Sequence, residues 1–236
     1  MSRGHNDAYP IARSEVIRIL NRAIDSIHAI DHECSTLCDG IEHGLVNVKL
    51  QFGERALEEI GKKLTEETLI AWLAREKLVE AGWTAEWELP YPEHRRKKCD
   101  LVFPLNAGGR LWLELKLAWK AWMNCSIPPT YSNGNYLPYL RGINHDHSFR
   151  GDFDKLSAAE LPPTDFRAVC LVGFDYAHDP MDKEVAAVVR ESCSSRRRWK
   201  SVARKSWCDR RCTDFRINAW AWLLCPAKSR KTDRRP

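Results

Sequence analysis

Long apolar runs are missing from this chain of 236 residues, and no stretch approaches the roughly 20 residues that a membrane-crossing helix needs. The opening MSRGHNDAYPIARSEVIRIL lacks the short apolar core and small-residue cleavage site of a secretory leader. Together these set the expectation of a cytoplasmic protein with no membrane partner. There is no internal repeat and no long low-complexity linker, and nothing at this length forces a second domain. Nine cysteines, an odd number scattered without a secretory signal, fit a reducing compartment better than a disulfide framework. Cys34/Cys38 and Cys208/Cys212, with His32 and His43 flanking the first pair, would supply zinc ligands. The tighter pairing and turn glycines usual in zinc sites are absent, so these read as small core or surface residues. His145-Asp146-His147 in a polar loop reads as surface in the same way.

The charge is unevenly spread. The chain carries +5 overall, yet residues 191–236 hold 14 Lys and Arg against 4 Asp and Glu, a net +10 that leaves −5 for the rest. In that basic segment RRRWK, RKSW and RRCTDFR interleave cations with aromatics. This pattern suits phosphate contact with base stacking, and equally a solvated basic helix with a frayed tail. Arg196, Arg197 and Arg198 are the candidate nucleic-acid contacts there. PAKSRKTDRRP at the end reads as disordered.

Apolar positions Val16, Ile17, Leu20, Ile24 and Ile27, with His28, recur at helical spacing and predict an accessory amphipathic helix. LTEETLIAWLAREKLVEAG predicts a helix opened by Thr65 as N-cap and stopped at Gly82. Three strands follow: one around Trp83 to Tyr91, one from Lys98 to Leu105, and one from Arg110 to Trp119. Asn106 to Gly109 forms the hairpin between the last two. YSNGNYLPYLRGINHDHSF reads as a long loop, GDFDKLSAAE as a short helix, Phe166 to Tyr176 as a buried strand, and Lys183 to Ser192 as a helix.

The question is why Asp100, Glu114 and Lys116 stand in two apolar strands, where an uncompensated charge is expensive. Alternation along a strand puts Glu114 and Lys116 on one side and Leu113, Leu115 and Leu117 on the other. The two arms of the hairpin, Asp100 to Leu105 and Arg110 to Glu114, are almost equal in length, so Asp100 falls near Glu114. Paired carboxylates repel unless a cation neutralises them, and oxygen ligands suit Mg²⁺ or Mn²⁺. The backbone carbonyl of Leu115 would complete the protein's share. A metal there would activate water and stabilise charge on a phosphoryl oxygen, while Lys116 orients the nucleophile. The plainer reading is a surface ion pair worth about 0–1 kcal/mol. Strands apolar on both faces argue against it.

Asp100, thirteen intervening residues, then Glu114-Leu115-Lys116, placed within a helix, three strands, helix, strand order, resembles the PD-(D/E)XK nuclease superfamily. Cys99 stands where that pattern often has proline. The resemblance covers about Thr65 to Tyr176. It implies an α/β restriction-endonuclease-like α-β-β-β-α-β core, a mixed sheet flanked by helices, over residues 64–192. An N-terminal helical extension would occupy 1–63 and a basic Trp/Arg-rich C-terminal extension 193–236. It also implies a further acid on the first helix, placed at Glu67 with Glu66 and Glu76 as alternatives. Glu67 shares a helix face with Ile70, Ala71 and Ala74.

Arg95, Arg96, Lys97 and Lys98 stand at the mouth of this site as phosphate contacts, and Lys155 is a further substrate contact. Asp152 reads as a helix cap. The expected activity is Mg²⁺- or Mn²⁺-dependent hydrolysis of nucleic acid, DNA ahead of RNA, with Asp100, Glu114, Lys116 and Glu67 catalytic. The alternative is a nuclease-fold binding or interaction module without catalysis. One active site cuts one strand, so double-strand cleavage implies a homodimer or sequential nicking.

Overall fold

The computed structural model describes residues 5–37, 45, 48–124, 130–133, 136–142, 148–193, 197–208 and 214–226. Two long helices come first, α1 (His5–Leu37) and α2 (Val48–Ile60), then α3 (Glu66–Glu80). β1 (Glu86–Tyr91), β2 (His94–Pro104) and β3 (Arg110–Trp119) follow. A small hairpin, β4 (Ala121–Asn124) with β5 (Thr130–Asn133), precedes α4 (Leu137–Arg141), α5 (Phe149–Ala158), β6 (Phe166–Tyr176) and α6 (Asp182–Glu191). β7 (Arg197–Cys208) and β8 (Phe215–Pro226) end the chain's described part. Six strands make one mixed sheet in the order β1-β2-β3-β6-β8-β7, in which only β3 and β6 run parallel. The class is α/β.

Period-two alternation gives the sheet two apolar faces, and helices cover both. Leu111, Leu113, Leu115 and Leu117 of β3 join even-numbered β6 residues and odd-numbered β8 residues under α1, α2 and α3. Trp112 and Ala118, with Val169, Leu171, Trp220 and Trp222, form the opposite face under α5 and α6. β6 is buried almost throughout, as its unbroken apolar run predicts.

The sequence-predicted core elements lie close to their expected places. Thr65 caps α3 by accepting from the Thr68 N–H. The β2–β3 hairpin uses Gly108 and Gly109, both at positive φ, as its loop requires. Glu15 of α1 ties that loop down by accepting from the Asn106 backbone and side chain at 3.1 and 2.7 Å.

Three regions differ from expectation. β2 begins at His94 rather than Lys98, so Arg95, Arg96 and Lys97 lie on the strand rather than before it. The stretch read as a long loop contains β5 and α4. The basic C-terminal segment contributes β7 and β8, which pair with each other and with β6, so it completes the sheet instead of extending from it. Its aromatics are turned inward: Trp199, Trp220 and Trp222 are buried, and Trp207 donates to Asp31 at 2.9 Å. Base stacking by these rings is therefore not available. The helix read over Val16 to His28 is real but is part of the much longer α1, packed on α3, β7 and β8. The C-terminal tail from 227, His145-Asp146-His147, Cys38, His43 and Cys212 lie outside the described residues. Among the described residues no helix is long and apolar enough to cross a membrane.

Gly173 in β6 is fitted against its neighbours. A Cβ there would come within 2.7 Å of both Met181 Sδ and the Trp220 ring. Gly173→Ala should therefore overpack this face and cost about 1–3 kcal/mol. Urea unfolding would show a lower midpoint at unchanged slope.

Candidate active site

β2 and β3 are paired from Pro104/Arg110 only as far as Leu101/Leu113. Beyond that point the strands part, and the N–H groups of β3 facing β2 lose their ladder partners. Two carboxylates take them: Asp100 Oδ2 accepts from the Leu115 N–H at 2.7 Å, and Glu67 Oε2 from the Leu117 N–H at 3.2 Å. The parting strands thus draw together an acid from β2 and an acid from α3. Glu67 sits in the first turn of α3, where the helix dipole favours a negative charge.

Glu114 and Lys116 leave β3 on the face that carries α5 and are 3% and 6% exposed. Lys116 Nζ lies 2.9 Å from Glu67 Oε1 and 3.5 Å from Asp152 Oδ2. Glu114 Oε1 accepts from the Tyr91 hydroxyl and lies 2.7 Å from Lys155 Nζ, which is also 3.5 Å from Asp152 Oδ1. Tyr91 is held by stacking on Trp112 at 5.3 Å between ring centroids, and the Trp112 Nε1–H in turn donates to Asp165 at 2.8 Å.

Glu67, Asp100, Glu114, Lys116, Asp152 and Lys155 form the floor of an open cleft of about 900 Å³. Arg96, Lys97 and Lys98 from β2 line it as well, as do Arg141 from α4 and Arg150 with the exposed Asp154 from α5. Four carboxylates, Glu67, Asp100, Glu114 and Asp152, meet two lysines, Lys116 and Lys155, which leaves the floor at −2 when every group is ionised.

The titration directions follow from burial and from that imbalance together. Burial pushes the Asp100 carboxyl well above its usual range, and Glu114 and Glu67 add to the shift against the opposing Leu115 hydrogen bond. Burial also raises Asp152; Lys116 opposes and Glu114 reinforces, and the group is pushed up to about 7. For Lys116, burial works against the charge, but Asp152 and Glu67 outweigh it and hold the ammonium above the ordinary lysine range. Lys155 is held high in the same way by Glu114 and Asp152. Burial, then Cys99 and Glu114, raise Tyr91, which keeps its phenol as a donor.

The structure brings Asp100, Glu114, Lys116, Glu67 and Lys155 into one cleft. Of the alternatives to Glu67, Glu66 pairs with Lys49 at 2.8 Å and Glu76 with Arg55 at 2.7 Å, both away from the site. Lys155 contacts the acids rather than standing free for substrate. Arg96, Lys97 and Lys98 line the cleft; Arg95 is exposed on β2 outside that lining. Arg198 is exposed on β7, the far edge strand, outside the cleft lining. Arg196 and the side chain of Arg197 lie outside the described residues.

Two site residues escaped the sequence reading. Tyr91 carried no signal beyond closing a strand. Asp152 is no helix cap, since Ser148 caps α5 by accepting from the Gly151 N–H. It falls with Phe149, Phe153 and Leu156 on the buried stripe of that helix, and an acid on an apolar stripe was the available clue.

Among the described residues no group of three or more His, Cys, Asp and Glu is drawn together as a ready metal-ligand set. The carboxylates are held instead by N–H groups, a phenol and two lysines. Comparison with known proteins gives no match to any family model, to any curated protein or to any solved structure.

Asp152 makes stability depend on pH. Its folded-state value lies above that of an unfolded carboxylate, so between the usual carboxylate range and about pH 7 only the folded chain holds the proton. Stability contributed by that proton is complete at the acid end and is lost as pH rises through about 7. Asp152→Asn removes this dependence. Urea unfolding in EDTA at pH 5 and pH 8 should show the variant gaining on wild type by on the order of 2 kcal/mol at the higher pH.

Proposed function

We propose that the protein is a metal-dependent nuclease of restriction-endonuclease-like fold that hydrolyses phosphodiester bonds, of DNA ahead of RNA, in the cytoplasm. The observation that carries this reading is the cleft itself: a floor that, fully ionised, is two positive charges short of neutrality, set between the cations of β2 and those of α4 and α5. The order α3, β1, β2, β3, α5, β6, with β3 parallel to β6, supports the fold reading, the small β4–β5 hairpin and α4 being inserted before α5.

The donor set fits a hard divalent cation. Asp100 and Glu114 are oxygen donors; burial first, then the neighbouring Glu114 and Glu67, raise the Asp100 carboxyl, and a cation beside them would oppose that shift. The Leu115 N–H points to Asp100, and because N–H and C=O of one strand residue face the same edge, its carbonyl faces that edge too. Asp100, Glu114 and the Leu115 carbonyl would hold Mg²⁺ or Mn²⁺. Bound there, the metal supplies a water of lowered pKa and stabilises charge on a phosphoryl oxygen.

The chain's own residues do the rest. Lys116, kept charged and aimed by Glu67 and Asp152, orients the attacking water and steadies the developing negative charge. Arg96, Lys97 and Lys98 from β2 and Arg141 and Arg150 from α4 and α5 bind the phosphates flanking the scissile bond. Since one cleft cuts one strand, double-strand breaks need a second copy or a second encounter. A nuclease-fold binding module without catalysis is the second reading. The ion pair between Lys155 and Glu114, one of the proposed ligands, favours it.

Supercoiled plasmid, single-stranded DNA and RNA, each incubated with Mg²⁺ and with Mn²⁺, decide between the two. The nuclease reading expects cleavage that EDTA abolishes and that Asp100→Ala, Glu114→Ala and Lys116→Ala each lower by about a hundredfold or more. Equal cleavage by all four proteins would sink it, and salt-dependent binding without cleavage would sink it in favour of the module. In either case, replacing Arg96, Lys97 and Lys98 together by Ala should flatten the salt dependence of binding, lowering the slope of log K against log[salt] by about 2–3.

A further inference from the structure

We infer that Lys155 is a built-in counter-cation of Glu114, whose charge limits how tightly the acidic floor can hold a divalent cation. The inference rests on the metal reading proposed above and concerns the regulation of that same site. The two lysines of the floor divide Glu67, Glu114 and Asp152 between them. Lys116 serves Glu67 and Asp152, and Lys155 serves Glu114, at 2.7 Å, and Asp152, at 3.5 Å.

Lys155 is tethered rather than drawn from solvent. It lies one turn beyond Asp152 on α5, a helix pinned to the sheet by the buried Phe149 and Phe153, and its Nζ stands 5.7 Å from the centre of the Tyr91 ring. Its side chain is 26% exposed while that of Glu114 is 3% exposed, so the lysine stands between a buried acid and the open cleft. Any divalent cation approaching Glu114 meets a fixed positive charge already on one of its oxygens. Removing that charge takes the floor from −2 to −3 and favours cation binding. Lys155 thereby keeps the resting floor nearer neutral and sets the cation concentration at which the site fills.

The experiment is isothermal titration calorimetry of the full chain with Ca²⁺ and with Mn²⁺, in metal-free buffer and without nucleic acid. Wild type is compared with Lys155→Met, Lys155→Gln and Lys155→Arg, and urea unfolding of each shows which variants are folded. Lys155→Met and Lys155→Gln should bind about tenfold more tightly than wild type, and Lys155→Arg within about twofold of it. Lys155→Gln keeps a hydrogen-bond donor for Glu114 and serves if the Met variant does not fold. Unchanged or weaker binding by the neutral variants overturns the inference while leaving the metal reading standing. Equal tightening by Lys155→Arg overturns it as well, because charge would not be the cause. No binding of either ion by any of the four proteins overturns both the inference and the metal reading.

Discussion

The separation of β2 from β3 after Leu101/Leu113 is the constraint on which the site depends. A strand that loses its neighbour in the middle of a sheet exposes backbone N–H groups that must find acceptors. Here carboxylates from two different elements fill that role at Leu115 and Leu117. The backbone requirement therefore fixes where Asp100 and Glu67 stand, and β3 places Glu114 and Lys116 beside them on the covered face. A well-paired sheet would have left no gap to be filled by acids, and an apolar pair at this fork would have left two donors unsatisfied. Glu15 holds the opposite end of the same hairpin at Asn106.

Electrostatics then decides what the gap contains. The penalty for burying a charge is several kcal/mol even after relaxation, so four neighbouring carboxylates persist only when matched by cations or protons. Lys116 and Lys155 match part of the charge. Burial first, and the neighbouring carboxylates after it, raise Asp100 and Asp152, so these two groups hold protons more readily than an ordinary carboxylate. Such an arrangement is poor at maximising stability, since similar volumes of apolar side chain would pack this fork without the desolvation penalty. The arrangement suits the proposed cation site, where a bound cation would replace those protons.

Much of this was legible in the sequence where one signal acted alone. β3 and β6 are apolar runs between turn residues, and α3 has an N-cap at Thr65 and a stop at Gly82, so their limits could be read closely. Asp100, Glu114 and Lys116 betrayed themselves as charges in apolar strands, and the hairpin arithmetic put them together. The reading failed where two signals competed. Arg95 to Lys98 belong to β2, but their side chains are exposed, so no apolar alternation marks the strand there. β7 sends Trp199 into one core and Ala203 into the other across a register shift between Ser201 and Ala203, so its alternation is broken, and its cations disguised an edge strand as a basic extension. Tyr91 and Asp152 reach Glu114 and Lys116 only through tertiary packing, which no local period records.

The placement of cations in the finished fold sharpens the functional argument. Charge runs at the C-terminus are the larger share of the chain's positive excess, and on composition they are the natural candidates for nucleic-acid contact. In the fold, the described part of that segment sits on the two strands farthest from the fork, and its tryptophans serve the core. The smaller group on β2 lies instead on the strand that carries Asp100, so any phosphate chain it holds runs past the acids. Arg141 and Arg150 approach from α4 and α5, the latter carrying Asp152 and Lys155. Both sets of cations are thus mounted on elements that also carry or adjoin the floor. For the proposed phosphate contacts proximity to the fork counts for more than the amount of positive charge, and on that reading the modest basic run at Arg96 to Lys98 is a better candidate than the longer one near the end of the chain.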